Sequence, residues 1–387
     1  MEKTTIHISS ENTEILRLLT VAVSLIKKPI IDSLQYIKVT NTFMQASDGT
    51  SSLILFTEFF KENYKTPFCL PAQKLLTSLS TLQQDADLII SDKTVVIKTN
   101  TFKASFSNIP LSQCPFKLNR FVHTDPFFEI KVYKDDLENF NIALQAASTD
   151  TLKNEYNGSI IYFDEQEFKI IGTNTKNVLT CISKKQNIKK EIPLFSIPTP
   201  TLEMIFQICK ILQESSFNLI IFKENETFWI KCIFENAIFY APIFEIPNVC
   251  LNLVDSMLQK KNQVVTNNIS ELTAVFSHLQ PFMSSTSVCD IFVEYLESNL
   301  YNFTFEIKGK VNKAQETLLI KSCTAITRTH LQIDLKDISK VLKTGLTDYV
   351  LIEDSSLKGV CFIASREGFN ENKKQTTLIV LHPKGDK

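Results

Sequence analysis

Residues 68–109 read FCLPAQKLLTSLSTLQQDADLIISDKTVVIKTNTFKASFSNI. The first four residues are an apolar run closed by a proline, which cannot stay in a hydrogen-bonded ladder. Leu75, Leu76, Leu79 and Leu82 then recur at helical spacing, with Lys74, Thr77, Ser78 and Thr81 on the opposite face. From 86 to 109 three runs alternate apolar and polar residues, the signature of half-buried strands. The stretch therefore predicts a strand, a break, an amphipathic helix and about three strands.

Outward from this stretch, the same order returns along the chain. TTIHISSENTEILRLL begins near Thr4 and FEIKVYKDDLENFNIAL at Phe128. LFSIPTPTLEMIFQI begins at Leu194, VTNNISELTAVFSHL at Val265 and THLQIDLKDISKVL at Thr329. These starts lie roughly 60–70 residues apart, the mark of an internal structural repeat. Six units fill the 387 residues. The third helix is expected to bury Leu137, Phe140, Leu144 and Ala147, the fourth Leu202, Ile205, Cys209 and Leu212, and the sixth Leu335, Ile338, Val341 and Leu342. Asp48-Gly49 and Asn157-Gly158 read as hairpin turns at matching places in the first and third units.

One apolar stripe per helix calls for one sheet to cover it. Two units per domain give three similar α+β domains, each large enough for its own core. Polar stretches at 119–127 and 255–265 set the expected domains at 1–122, 123–256 and 257–387.

The composition narrows the function. With 41 basic and 42 acidic residues, no net field draws the chain to nucleic acid or membrane, so such binding must come from local placement. Only 8 glycines are present, and both G-x-G-x-x-G and G-x-x-x-x-G-K-[ST] are missing, so neither common phosphate-binding loop is available. The nine cysteines are scattered with no C-x-x-C, which reads as reduced thiols in a reducing, cytoplasmic compartment. Met1–Ser10 lacks a signal-peptide pattern, and no apolar run is long enough to span a membrane.

A search for catalytic chemistry returns little. His7, His123, His278, His330 and His382 form no metal-ligand spacing, and no G-x-S-x-G elbow is present. Asp135 and Asp136 fall in the first turn of a helix, where carboxylates complement the helix dipole. No catalytic residue, cofactor or metal is expected, and an enzyme is the least supported class. The suggestive set is instead the basic residues with the helices: Arg17, Lys27, Lys28, Lys74, Lys134, Lys210, Lys336, Lys340 and Lys343. Together they suggest a phosphate-facing surface. Glu14, Glu138, Glu203, Glu271 and Asp337 share those faces and dilute it.

These residues resemble a known family. KKPIIDSLQYIKVTNTFMQASDGTSSLILFTEFF (27–60), FCLPAQKLLTSL (68–79), FSNIPLSQCPF (106–116), YNGSIIYF (156–163) and IFEIPNV (243–249) resemble, in order, segments of the bacterial sliding clamp, the β subunit of DNA polymerase III. The resemblance implies two protomers joined head to tail, domain one of each meeting domain three of the other. Twelve helices then line a hole around duplex DNA. It implies that Arg17, Lys27, Lys28, Lys74, Lys134, Lys153, Lys336, Lys340 and Lys343 face or rim the hole without reading sequence. Phe102, Ala104 and Phe106 lie on the strand implied to form the dimer interface. It also implies that DNA polymerase and clamp loader dock through a short peptide motif in a pocket matching Tyr156, Thr173, Val178, Pro247, Val380, Leu381 and Pro383. Here Thr173 is followed by Asn174-Thr175-Lys176-Asn177, and the C-terminus reads Leu381-His382-Pro383-Lys384-Gly385; both depart from the usual family pattern. The function implied is a processivity factor. The alternative is a clamp-like interaction scaffold that does not encircle DNA.

Overall fold

A computed structural model describes residues 4–11, 13–26, 31–60, 67–114, 126–148, 156–163, 167–173, 178–185, 192–246, 266–283, 288–298, 300–308, 313–321, 330–335, 348–354, 359–365 and 373–381. The first expected repeat is β1 (Thr4–Ile8), α1 (Thr13–Leu25), β2 (Tyr36–Val39), β3 (Phe43–Ser47) and β4 (Ser52–Phe56). The second is β5 (Phe68–Pro71), α2 (Ala72–Leu79), β6 (Ala86–Ile90), β7 (Thr94–Lys98) and β8 (Lys103–Ser107). The third is β9 (Phe128–Tyr133), α3 (Lys134–Ala146), β10 (Gly158–Phe163), β11 (Glu167–Thr173) and β12 (Val178–Lys185). The fourth is β13 (Ile192–Pro198), α4 (Thr199–Leu212), β14 (Ser216–Glu224), β15 (Thr227–Ile233) and β16 (Ala237–Ile246). The fifth is β17 (Thr266–Asn268), α5 (Ile269–Leu279), β18 (Val288–Glu297), β19 (Leu300–Lys308) and β20 (Lys313–Lys321). The sixth is β21 (His330–Asp334), then β22 (Asp348–Asp354), β23 (Gly359–Ser365) and β24 (Lys373–Leu381). Its expected helix, after Leu335, lies outside the described residues.

The strand pairing adds what periodicity alone does not contain. Each repeat makes its last three strands into an antiparallel meander, but its first strand joins the meander of a neighbour. β1 pairs with β6 and β5 with β2. β9 pairs with β14 and β13 with β10. β17 pairs with β22 and β21 with β18. First strands are thus exchanged between repeats one and two, three and four, and five and six. A single repeat cannot complete its own sheet, so the repeats fold as pairs.

The chain forms two compact units, Met1–Leu137 with Pro200–Ile243, and Glu138–Thr199 with Phe244–Lys387. In the first, α1 packs on α2 and on the β3–β4 hairpin. Its buried stripe is Ile15, Leu18, Leu19, Val21 and Ala22. Each fully buried Leu or Ile contributes about 1.5–3 kcal/mol. Gly49 turns this hairpin at φ 96°, and Asp48 Oδ1 accepts the Thr50 and Ser51 N–H groups at 2.8 and 2.6 Å, as the Asp-Gly pair predicts.

In the second unit, Leu272, Val275, Phe276 and Leu279 of α5 pack on Cys289, Ile291 and Val293 of β18 and on Phe303, Phe305 and Ile307 of β19. Phe276 meets Phe305 edge-on at 5.5 Å.

Two local expectations need correction, and both turn on glycine. Asn157-Gly158 is no hairpin turn, because Gly158 already begins β10. A Cβ there would lie 2.1 Å from the Ile197 carbonyl oxygen, so the glycine serves the close approach of β10 to β13. The α3 stripe is also rotated from its expected setting. Phe140 is buried as expected, but Leu137, Leu144 and Ala147 are only partly covered, while Asn139, Ile142, Ala143 and Ala146 are fully buried. Gly172 of β11 explains the rotation: a Cβ there would meet the Ala143 backbone at 1.8 Å, so α3 lies on the strand backbone itself.

Candidate functional site

The edges of the sheets come first, because they decide what the chain can assemble with. Last strands of different repeat pairs meet at two places. β4 of repeat one pairs antiparallel with β16 of repeat four through Ser52–Leu55. β12 of repeat three pairs antiparallel with β24 of repeat six through Val178–Lys184. In both, the last strand of an odd repeat takes the last strand of the even repeat from the following pair. The two remaining last strands are β20 of repeat five and β8 of repeat two. Each is the edge of its own four-stranded sheet, β20-β19-β18-β21 and β1-β6-β7-β8.

Ala104 and Phe106 point to the core side of β8, opposite Ile97 and Val95, yet are only half-buried. Phe102, just ahead of the strand, is 41% exposed. On β20, Ala314 and Leu318 are half-buried in the same way. The sequence reading named Phe102, Ala104 and Phe106 but missed β20. Its signal was present in KAQETLLIK, an alternating strand with lysine at both ends, which is how edge strands are commonly protected.

The helix faces are the second element. Arg17 on α1, Lys74 on α2 and Lys134 at the start of α3 are exposed. Lys27, Lys28, Lys153, Lys336, Lys340 and Lys343 lie outside the described residues. Glu14, expected to share a face with these cations, and Asp136, expected in the first turn of α3, are both committed to the fold. Glu14 Oε1 accepts the Thr57 hydroxyl at 2.6 Å, and buried Asp136 accepts the Tyr133 N–H at 3.0 Å. Asp136, the third residue of α3, thus reaches back to cap the residue before the helix, as its first-turn position suggests. Asp135, Glu138 and Glu203 remain exposed.

The positions matched to a peptide pocket follow the sheet of the second unit. Thr173 is buried at the end of β11, opposite Leu179. Val178 of β12 stands opposite Ile379 of β24, and Val380 and Leu381 follow directly along that strand. Tyr156 is half-buried before β10, its carbonyl accepting the Ser148 N–H at 3.0 Å. The β11-β12-β24 ladder therefore gathers Thr173, Val178, Val380 and Leu381 on neighbouring strands. Pro247 and Pro383 lie outside the described residues.

A cavity of about 510 Å³ in the first unit was not foreseen. It is lined by the end of α1, the β3–β4 turn and the start of α4, including Ser24, Asp48, Ser51, Thr201 and Glu203. Two carboxylates make it unsuited to an anion. Among the described residues, no group of three His, Cys, Asp or Glu could hold a metal ion. No described helix is long and apolar enough to cross a membrane. Three histidines are paired with acids: His7 with Asp87, His278 with Glu316 and His330 with Asp290, each at 3.0 Å.

No protein-family model matches the sequence, and no curated protein matches it. Solved structures do. A DNA polymerase III subunit beta from Pseudomonas aeruginosa superposes with a TM-score of 0.74 at 14% identity, over 98% of this chain and 100% of that one. A DNA polymerase III beta chain from Streptococcus pneumoniae gives 0.75 at 18%, over 98% and 100%. A Helicobacter pylori beta clamp bound to a DNA ligase peptide gives 0.75 at 18%, over 98% and 99%. At these identities the likeness is one of fold, and it runs the length of both chains. The chain has the fold of the DNA polymerase III beta subunit, the sliding clamp.

Proposed function

We propose that this protein is a DNA sliding clamp, a processivity factor that encircles duplex DNA and tethers the replicative polymerase without catalysing a reaction itself. The observation that carries the reading is the pattern of filled and open junctions. The chain makes the same last-strand pairing twice, β4 with β16 and β12 with β24, and leaves β20 and β8 as the two halves of a third. A second copy supplies β8 to β20 and takes β20 on its own β8. Such head-to-tail contacts form a ring when the rotation closes. The exchange of first strands within repeat pairs supports three domains, at 1–122, 123–256 and 257–387.

Ring closure also accounts for the charge balance. A ring held on DNA by topology needs only weak, sequence-independent phosphate contacts. Arg17, Lys74 and Lys134, with Lys27, Lys28, Lys153, Lys336, Lys340 and Lys343, supply them. Polymerase and clamp loader bind by a short peptide along the β11-β12-β24 region, through Tyr156, Thr173, Val178, Val380 and Leu381, with Pro247 and Pro383 the further positions that the family resemblance assigns. The peptide-bound Helicobacter pylori clamp supports this kind of partner.

Native mass spectrometry and retention on circular plasmid test the reading together. A dimer of twice the 44.1 kDa protomer, retained on closed circles and lost on linearisation, is expected. Charge reversal at Arg17, Lys74 and Lys134 should shorten retention and flatten the salt dependence by about one unit of slope per contact. A chain that stays monomeric at micromolar concentration would overturn the ring. A dimer indifferent to plasmid topology would make it a scaffold that does not encircle DNA.

A further inference from the structure

The cavity of about 510 Å³ in the first unit lies where α1 ends and α4 begins, beside the β3–β4 turn. The two helix ends oppose one another. The end of α1 carries roughly half a negative charge and the start of α4 roughly half a positive one, so their fields largely cancel. The side chains then decide the sign of the cavity. Asp48 and Glu203 bring two carboxylates to the lining, and among the described residues no lysine, arginine or histidine lines it. Neither acid is in an ion pair with a described residue. Asp48 gives Oδ1 to the Thr50 and Ser51 N–H groups and keeps Oδ2 open.

Two hydroxyls are an independent sign of a ligand. Ser51 and Thr201 line the same cavity and are only 8% and 6% exposed. Among the described residues, neither hydroxyl has a hydrogen-bond partner. Ser51 lends its N–H and its carbonyl to the β3–β4 turn, but not its side chain. Buried polar groups are normally bonded, because leaving one unpaired costs stability, so these two call for a partner inside the cavity. Leu25 and buried Met204 and Phe239 supply an apolar wall.

We propose that this cavity binds a linear aliphatic polyamine, with ammonium groups on Asp48 and Glu203 and the methylene chain against Leu25, Met204 and Phe239. An ammonium group donates three hydrogen bonds and accepts none, which suits a lining whose open groups are carboxylate and hydroxyl oxygens. Two carboxylates call for two ammonium groups, since a monoamine leaves one acid unpaired. The aliphatic spacer suits the apolar wall, as the stem of a lysine side chain suits apolar surface. A hard metal ion needs about six oxygen ligands, and among the described residues no group of three His, Cys, Asp or Glu is gathered to hold one. The volume falls in the ordinary range of small-molecule sites.

Titration calorimetry of the full chain with spermidine, without DNA, tests the proposal. One site per protomer is expected, and an uncharged aliphatic diol should not bind. Glu203 is exposed, so Glu203→Gln should leave the fold intact and weaken binding about tenfold, the worth of one charged hydrogen bond. Adding Asp48→Asn, which keeps an Oδ1 for the turn, should bring the loss to about 100-fold. Glu138→Gln removes the same charge from an exposed position on α3 and should change nothing. Absence of spermidine binding, or equal weakening by Glu203→Gln and Glu138→Gln, would overturn the site and leave general charge attraction. Nα-acetyl-lysine amide has one ammonium group; if it binds as tightly as spermidine, the polyamine assignment fails in favour of a lysine side chain. All of these measurements are made without DNA, so their outcome is separate from whether the chain encircles it.

Discussion

β4 and β8 hold the same place in successive repeats, each the last strand of its meander, but their sequences differ. β4 reads SLILF, with Leu53 and Leu55 fully buried, and β16 pairs along it. β8 reads KASFS, with Lys103, Ser105 and Ser107 exposed and Ala104 and Phe106 half-buried. The same contrast separates β16, AIFYAPIFEI, from β20, KAQETLLIK. A junction filled during folding can use apolar residues throughout. A junction filled by a second molecule must first stay soluble, and an open apolar edge invites aggregation. Composition thus separates the two filled junctions from the two open edges, as the proposed ring requires.

Matched substitutions make the strongest test of this contrast. Leu53→Asp places an unpaired charge in a fully buried site of the filled junction and should cost about 4 kcal/mol or more of folding stability. Phe106→Asp, at the open edge, should cost only about 1–2 kcal/mol of folding. It should weaken dimerisation by about 30-fold or more, the effect of losing one interface hot spot. Chemical denaturation and sedimentation at several concentrations separate the two. Equal folding losses would remove the distinction between the junctions.

The order of elements in the first five repeats was legible from the sequence, and so was the edge at Phe102, Ala104 and Phe106, whereas β20 went unread. Hydrophobic period reports which face of a strand or helix is buried, and six recurrences made the pattern unambiguous. The exchange of first strands was not legible, because period says nothing about which strand lies alongside. The α3 stripe was misplaced because Gly172 lets the helix rest on backbone, a contact without an apolar side chain to announce it. Of the candidate surfaces, Arg17, Lys74 and Lys134 were legible as cations on polar helix faces. The role of Glu14 was hidden until Thr57 was found beside it.

The edge formed by β20 is held by charges as well as by packing, which gives a middle-sized prediction. Glu306 of β19 is almost fully buried and receives Lys308 at 2.6 Å together with Lys313, the first residue of β20. Hydrogen bonds from Lys308, then Lys313, hold its carboxyl below the ordinary range. A depressed folded pKa contributes stability above the unfolded value and loses it as pH falls through the folded one. The open edge should therefore loosen in acid below about pH 4.3, the ordinary glutamate value. Glu306→Gln should cost about 1.5–3 kcal/mol at neutral pH, the worth of hydrogen bonds to a charged group. It should also remove that acid sensitivity. Hydrogen exchange along β20 reads the effect locally, and unchanged acid behaviour in the variant would assign it to other carboxylates.

The smallest effect is expected at β1, the opposite edge of the sheet that ends in β8. β1 is also an edge strand, yet it differs from β8 in carrying His7 against two acids of β6 and its approach: Asp87 at 3.0 Å and Asp85 at 3.7 Å. The hydrogen bond that His7 donates to Asp87, with the charges of both acids, raises the His7 pKa. A raised folded pKa contributes stability that is complete below the unfolded value, about 6.5, and is lost as pH rises through the folded one. All three groups are open to solvent, so the contribution is screened and small. β1 should therefore gain a little protection from exchange as pH falls from above the folded pKa of His7 to below 6.5, the reverse of β20 in acid. His7→Gln should abolish that gain and leave dimerisation unchanged, because this edge is closed by its own charges and waits for no second strand. A loss of dimer in that variant would mean that β1 takes part in the junction assigned to β8.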